Sequence, residues 1–382
     1  MRIDLLGAVG PDGQPLNLGV DQGRLVAPGA GRRIDLRGMR LLPGLINAHD
    51  HLHLNSALPR LKFREVYRNA RDWIADITPR LGTDPQLLAH RARSRAARLV
   101  DGGLKNLLSG ATTVLHHDPR DAVLDDPAFP VDAPAPGGWS HSLGLDGEEA
   151  LRAAHAATPP GRWWVVHAAE GTDSEAAKEG DRLQALGLLG PQTLLVHGLG
   201  LTAGQQRAVV DAGAAVVWCP GSNLHLFGVT LDPTALAAAG RLLLGSDSRI
   251  SGSRDLLQEL AMAARLTGWP DERLLHWVTA QAAAVLGLHD RGRLAPGLRA
   301  DLIALPAGLP LAQATRADLR LVMVAGQARY ADADLGAALG LRPVRVDGRD
   351  KALAPPLLAQ AREPGLEIGR APTAGPVPEV AA

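Results

Sequence analysis

The chain has 382 residues, 46% of them hydrophobic, and its 40 basic side chains balance its 40 acidic ones. That length accommodates one large barrel plus a smaller domain, and the even charge argues against a nucleic-acid or anionic-membrane partner. The single cysteine, Cys219, excludes an intramolecular disulfide and a Cys-rich zinc finger.

The N-terminal run MRIDLLGAVGPDG lacks the apolar core and small-residue cleavage site of a secretory signal. No run of about 18 apolar residues reads as a membrane span. A cytoplasmic location is the expectation. Residues 1–42 alternate short β-type runs (2–9, 16–20, 24–27) with Gly, Pro and Asp turns, and read as a small β-domain. Residues 43–289 alternate apolar strands (42–48, 112–117, 163–168, 193–197, 215–219, 242–246) with Ala/Leu/Arg-rich helices (84–108, 147–157, 203–212, 254–266, 271–286). That alternation predicts βα units and a parallel sheet. Residues 290–350 return to β-type runs and are placed to complete the N-terminal domain, so that both chain ends build one β-sandwich. From 351 to 382 Ala, Pro and Gly dominate, and an extended or disordered tail is expected.

The richest stretch is Pro-Gly-Leu-Ile-Asn-Ala-His-Asp-His-Leu-His at 43–53. Side chains at i and i+2 of a strand share a face, so His49 and His51 converge as two ligands of one metal ion must. They end a strand, and in a (β/α)8 barrel the C-terminal strand ends carry the active site. Other strand-like runs end in His167, with Glu170 three residues on, in His197, in Cys219-Pro220-Gly221-Ser222-Asn223, and in Ser246-Asp247-Ser248. In a closed barrel these tips cluster at one mouth. Burying such groups without partners is costly, and a shared metal removes the cost. Three imidazoles and one carboxylate (His49, His51, His167, Asp247) suit Zn²⁺ or Fe²⁺ with one position left for water.

Taken as an ordered set, PGLINAHDH (43–51), SGATTV (109–114), HAAE (167–170), LLVHG (194–198), CPGSN (219–223), LGSDS (244–248) and GLHDRGRLAPGLRADL (287–302) resemble the amidohydrolase superfamily. The likeness is to its cytosine, guanine and triazine deaminase branch and to imidazolonepropionase, and spans roughly residues 1–330. The resemblance implies an α/β fold, a TIM (β/α)8 barrel with a small β-sandwich domain from both chain ends. It places His49, His51, His167 and Asp247 as ligands of a divalent metal; one ion is expected, zinc before iron. It assigns His197 to a position near metal and substrate, and Glu170 to the proton-shuttling glutamate of the deaminases. The metal would lower the pKa of its water from about 15.7 toward about 7. Asp247 would then accept the water's proton, and Glu170 would protonate the substrate nitrogen or leaving amine. His197 would polarise the attacked carbon's substituent or stabilise the oxyanion that develops there.

Two departures stand out. No lysine lies on a strand run between 118 and 163, so a lysine-bridged pair of metals is not expected. The same interval is short for the third and fourth strands with their helices, and its candidates, 129–133 and 139–143, are joined by Pro and Gly. The barrel should be irregular there.

Other residues have weaker claims. His53 shares the face of His49 and His51 if the strand continues, and otherwise belongs to the pocket or a loop. His116, His117 and Asp118 follow the 112–117 strand, and divide between substrate contact and packing. Trp139 and His141 could line the pocket, and Arg60 and Arg249 could hold an anionic substrate group; core and surface roles compete. Cys219 reads as a small buried hydrophobe, with no helix expected to start there and depress its pKa. No Gly-x-Ser-x-Gly, Gly-x-Gly-x-x-Gly or Walker sequence is present.

The reading is a metal-dependent hydrolase of carbon–nitrogen (non-peptide) bonds, with metal-bound hydroxide attacking a small, cyclic, nitrogenous substrate. Deamination is favoured because of His167-x-x-Glu170. The alternatives are hydrolysis of a cyclic amide or acyl-amine, as in imidazolonepropionase, and a catalytically inactive barrel that acts as a binding protein. Relatives are often dimers, which keeps a homodimer open.

Overall fold

The computed structural model describes residues 2–55, 58–358 and 368–369. Gly138–Ser142, Trp164–Ala168, Thr193–His197, Ala215–Trp218 and Leu242–Leu244 form one ladder in chain order, parallel throughout. Leu45–Asp50 pairs in parallel with Ala111–His116. Two links extend these ladders at their edges. On one side Thr113 bridges Asp132: the Val114 N–H donates to Asp132 O, and the Asp132 N–H to Thr112 O. On the other side the Asp247 N–H donates to His49 O at 3.2 Å, and the Ser246 N–H to Asn47 Oδ1 at 3.0 Å.

This is a TIM-type barrel of eight parallel positions, irregular at the third and fourth. The third strand is a single bridge long, and among the described residues no ladder joins it to Gly138–Ser142. The cause is local. The connection at 133–137 is Ala-Pro-Ala-Pro-Gly, and proline offers no N–H and fixes φ, so neither a ladder nor a crossover helix can form there.

Alternate positions of the barrel strands, including Ile46, Val165, Leu194, Val196, Val217 and Leu243, pack into one buried cluster. That is the period-two pattern of a sheet face. Each such aliphatic side chain contributes about 1.5–3 kcal/mol by burial.

The chain ends meet in one eleven-stranded sheet, joined where Met39–Pro43 runs antiparallel to Leu302–Pro306. It is one continuous hydrogen-bonded sheet, the β-domain built from both chain ends. The strand Arg349–Leu353 also crosses the expected tail boundary at 351. Lys351 is buried there, donating to Asp332 Oδ1 at 2.5 Å and to Leu319 O at 3.0 Å. The expected tail also begins with a short helix, Pro355–Leu358, whose Leu357 is buried; beyond it only 368–369 belong to the described residues.

Three helical details matter for the site. The run 84–108 is two helices, Pro85–Ala92 and Arg95–Leu108. Arg93 is extended, and the Ser94 hydroxyl caps the second helix by accepting from the Ala97 N–H. Ala70–Ile77 and Ser174–Ala185 are helices that sequence reading did not place; the second was hidden by its charged side chains and is capped by Asp173. A helix, Pro220–Phe227, does begin right after Cys219, with Pro220 at its first position. Cys219 nevertheless stays inert: it is fully buried, and burial pushes its thiol pKa well up.

Candidate active site

The predicted ligands meet at the C-terminal mouth of the barrel. His49 lies next to the end of the first strand, which Asp50 closes, and His51 follows it; His167 lies on the fifth strand; His197 ends the sixth; Asp247 follows the eighth. His49, His51, His117 and His167 each bring a ring nitrogen, all within 4.8 Å of one another. Asp247 Oδ1 lies 3.7 Å from His49 Nε2 and 3.9 Å from His51 Nε2.

The hydrogen bonds around the rings show what the cluster is for. His51 Nδ1 faces Asp118 Oδ2 at 2.7 Å, and His167 Nδ1 faces the His141 carbonyl at 2.8 Å. Both acceptors demand a proton on Nδ1, which leaves a lone pair on each Nε2. Those two Nε2 atoms stand only 3.2 Å apart. Two lone pairs at that distance repel unless a proton on His51 or a metal cation lies between them. Nitrogens bound about 2.0–2.1 Å from one tetrahedral ion stand at about this separation. His117 repeats the pattern: its Nε2 donates to Ser140 O at 2.8 Å, and its buried Nδ1 has no partner. Both ring nitrogens of His49 are likewise buried and unpartnered. The cluster could hold a divalent metal, with the tautomers of His51, His167 and His117 set from behind by carboxylate and carbonyl acceptors.

The electrostatics agree. Burial pushes His49 down to about 4 and His167 and His117 well below the ordinary range. Burial opposes charge on His51 too, but Asp118, Asp247 and Asp50 outweigh it and raise that ring to about 9. The carboxylates make this spot favourable for positive charge. Asp247 is held well below the usual carboxylate range: burial works against ionisation, and His49, His51 and His197 overcome it.

Glu170 sits on the opposite electrostatic footing. Burial raises its carboxyl to about 7, against the pull of His197, whose Nε2 is 3.5 Å away. His197 is oriented from behind by Asn223 Oδ1 at 3.1 Å, a residue of the CPGSN run. His197 and Asp247 both take left-handed backbone angles, φ 71° and 53°. Such geometry costs on the order of 1–3 kcal/mol per residue and persists where surrounding structure enforces it.

A cavity of about 240 Å³ opens over these groups. Its polar side carries His51, His167, Glu170, His197 and Asp247, and Trp73, Ile74, Leu226 and Ile250 form an apolar side. Of the weaker candidates, His141 lines this cavity. His117 instead belongs to the imidazole cluster. Trp139 does not reach the cavity; it packs edge-on against His117, with ring centroids 5.8 Å apart. Arg60 turns away to the carbonyls of Gly252 and Gly221, which satisfy its guanidinium and remove it from substrate contact.

Sequence reasoning gave no role to the buried layer beneath, where Lys105, Asn55, Asp50, Asn47 and Asn106 bond one another. An Asn or Lys inside an apolar helix pattern was its only trace.

Comparison with known proteins follows the same line. The amidohydrolase family model matches residues 148–329. The 8-oxoguanine deaminase of Pseudomonas aeruginosa is 34% identical over 204 residues, 47% of this chain and 44% of that protein. The 5-methylthioadenosine/S-adenosylhomocysteine deaminase of Halobacterium salinarum is 27% identical over 346 residues, 76% of this chain and 79% of that protein. The chain thus spans less than half of the first relative and about four fifths of the second. An adenosine deaminase from Xanthomonas campestris with bound zinc shares the fold at TM-score 0.69 and 19% identity, covering 86% of this chain and 92% of its own. A zinc-complexed atrazine chlorohydrolase from Arthrobacter aurescens does so at TM-score 0.68 and 19% identity, covering 85% and 94%.

Proposed function

We propose that this chain is a member of the amidohydrolase family and a zinc-dependent deaminase of a small, cyclic, nitrogenous substrate. His49, His51, His167 and Asp247 are assigned as the metal-holding residues, with residues 43–289 as the catalytic domain and the cytoplasm as the place of action. When bound, the divalent ion supplies the Lewis acidity that makes water a nucleophile near neutral pH.

The chain's own groups do the rest. Asp247, ionised and facing His49 and His51, takes a proton from the attacking water. Glu170 holds a proton at its carboxyl near neutral pH, because burial raises it to about 7, and passes that proton to the ring nitrogen or departing amine. His197, fixed by Asn223, presents Nε2 to the charge that develops on the substrate. The apolar side at Trp73, Ile74, Leu226 and Ile250 offers a face for a flat heterocycle and keeps bulk water away.

The observation that carries this reading is the pairing of two carboxyl groups in one cavity with opposite tendencies, Asp247 pushed down and Glu170 pushed up. One is a base and the other an acid at the same pH. Ammonia release from aminated purines, pyrimidines and triazines by the zinc-loaded protein tests it. Glu170→Gln should lower kcat by about 10²- to 10⁴-fold while zinc content stays the same. Ring opening of cyclic amides without ammonia would move the assignment to the cyclic-amide hydrolases. No turnover of either class would favour the inactive barrel.

A further inference from the structure

The third histidine of the 49, 51, 53 series has no part in the chemistry above, yet it is not idle. His53 sits on the short turn Leu52–Leu54, and faces His116 and Asp118 at the end of the second barrel strand. We propose that His53, His116 and Asp118 form a second divalent-cation site, separate from the hydrolytic cluster and bordering the same cavity.

One ligand atom from each of the three residues lies within 4.8 Å of the others. His53 Nδ1 is 3.3 Å from Asp118 Oδ2. Two ring nitrogens there, His53 Nδ1 and His116 Nε2, are buried without a hydrogen-bond partner. His116 is 4% exposed. Its other edge meets backbone, with Nδ1 facing both the Leu52 N–H at 3.3 Å and the Asp50 carbonyl; donation from Nδ1 to that carbonyl leaves Nε2 its lone pair. A proton shared between His53 and Asp118 would leave His116 Nε2 stranded, and an unsatisfied buried polar atom costs about 1–3 kcal/mol. A cation satisfies all three groups together.

Two imidazoles and a carboxylate select zinc-class ions over calcium or magnesium, which prefer oxygen alone. Asp118 ties the two sites. The same carboxylate accepts from Nδ1 of His51, so it orients a ligand of the first ion while contributing to the second. His53 and Asp118 both line the cavity, so the coordination position left free by three protein ligands opens toward it. Arg95, the nearby cation that disfavours charge on His53, is held by the Pro119 carbonyl at 2.9 Å.

The proposal does not depend on the deaminase reading. The test is zinc titration of the metal-free full chain, with metal content measured after gel filtration. Two equivalents are expected for the unmutated chain, and one for the double variant His53→Gln/His116→Gln. Anomalous scattering at the zinc edge, from crystals of the unmutated protein, should place one peak against His53, His116 and Asp118 and another against His49, His51 and His167. A single equivalent located at the His49 cluster overturns the proposal, as does a second peak elsewhere. The map decides even where the double variant fails to fold. A peak at the first cluster alone defeats only this inference; a peak at the second alone defeats the hydrolytic assignment instead.

Discussion

The ammonium of Lys105 donates to the main-chain carbonyl of Asp247 at 2.6 Å. Lys105 lies on the helix Arg95–Leu108, is 1% exposed, and also meets Asp50 Oδ2 at 3.1 Å and Asn55 Oδ1 at 2.9 Å. Asp50 ends the first barrel strand and Asp247 follows the last. One buried cation therefore clamps the seam where the barrel closes, and holds the carbonyl of a residue whose φ is left-handed.

Replacing Lys105 by Met keeps the volume and removes the charge. Asp50 is then buried with its cation gone, which costs about 3–5 kcal/mol. Chemical denaturation should show that loss. Zinc affinity should fall about 10- to 100-fold, as it does when groups supporting metal ligands are removed. A stability change below about 1 kcal/mol would show that the seam is held by its backbone contacts alone.

This clamp also marks the limit of what sequence reading reaches. His49, His51, His167, His197 and Asp247 were legible because each ends an apolar run, and a barrel brings strand ends together whatever its details. The irregular third and fourth strands were legible because proline forbids the regular alternative. Lys105 and the Asn47–Asn106 bond were not, since a polar residue in a helix reads as solvent-facing until its neighbours are known. His117 was misjudged for a related reason. Its role depends on which ring nitrogen Ser140 occupies, a fact of tertiary structure. Arg60 fails in the opposite sense: a cation near the mouth reads as an anion receptor, and here carbonyls claim it.

Metal removal should be felt in stability as well as activity. The facing Nε2 atoms of His51 and His167 at 3.2 Å, and the unpartnered rings of His49 and His117, lose their common counter-charge when the ion leaves. An ion present at a thousandfold its Kd stabilises by about 4 kcal/mol. Treatment with a strong chelator should lower Tm and abolish turnover, and zinc should restore both. His49→Ala should fail to recover either on zinc addition. Equal Tm with and without chelator would contradict a metal shared by these imidazoles.

Stability should also fall as pH rises through the window set by Glu259. This carboxyl is fully buried, accepts from the Gly221 N–H at 2.7 Å, and is raised by burial from 4.5 to about 7 in spite of nearby Arg60. Between those values the folded chain holds a proton that the unfolded chain has released. The unfolded state thus binds fewer protons, and stability declines with pH. The decline should be complete above about 7 and on the order of 3 kcal/mol. Glu259→Gln keeps the hydrogen-bonding shape and cannot ionise. Its denaturation midpoint, measured from pH 4 to 8, should be flatter than that of the unmutated chain by this amount. Parallel profiles would show that Glu259 ionises freely.

The close approach of helix Arg95–Leu108 to the segment that carries His49 and His51 rests on one absent side chain. A Cβ on Gly102 would stand 2.2 Å from Leu52 O and 2.6 Å from Leu52 Cα, both backbone atoms that no rotamer change can move. Leu52 follows His51 directly, so any outward shift of the turn carries the His51 ring away from His167. Overpacking of this kind costs about 1–3 kcal/mol. Gly102→Ala should therefore lower Tm and weaken zinc binding together, although residue 102 touches no ligand. The same substitution at Gly82, where an added Cβ meets nothing within 4 Å, serves as the control and should leave zinc binding unchanged. If Gly102→Ala lowers Tm but zinc titrates as before, the turn absorbs the shift without moving His51, and helix packing is not what sets the ligand geometry.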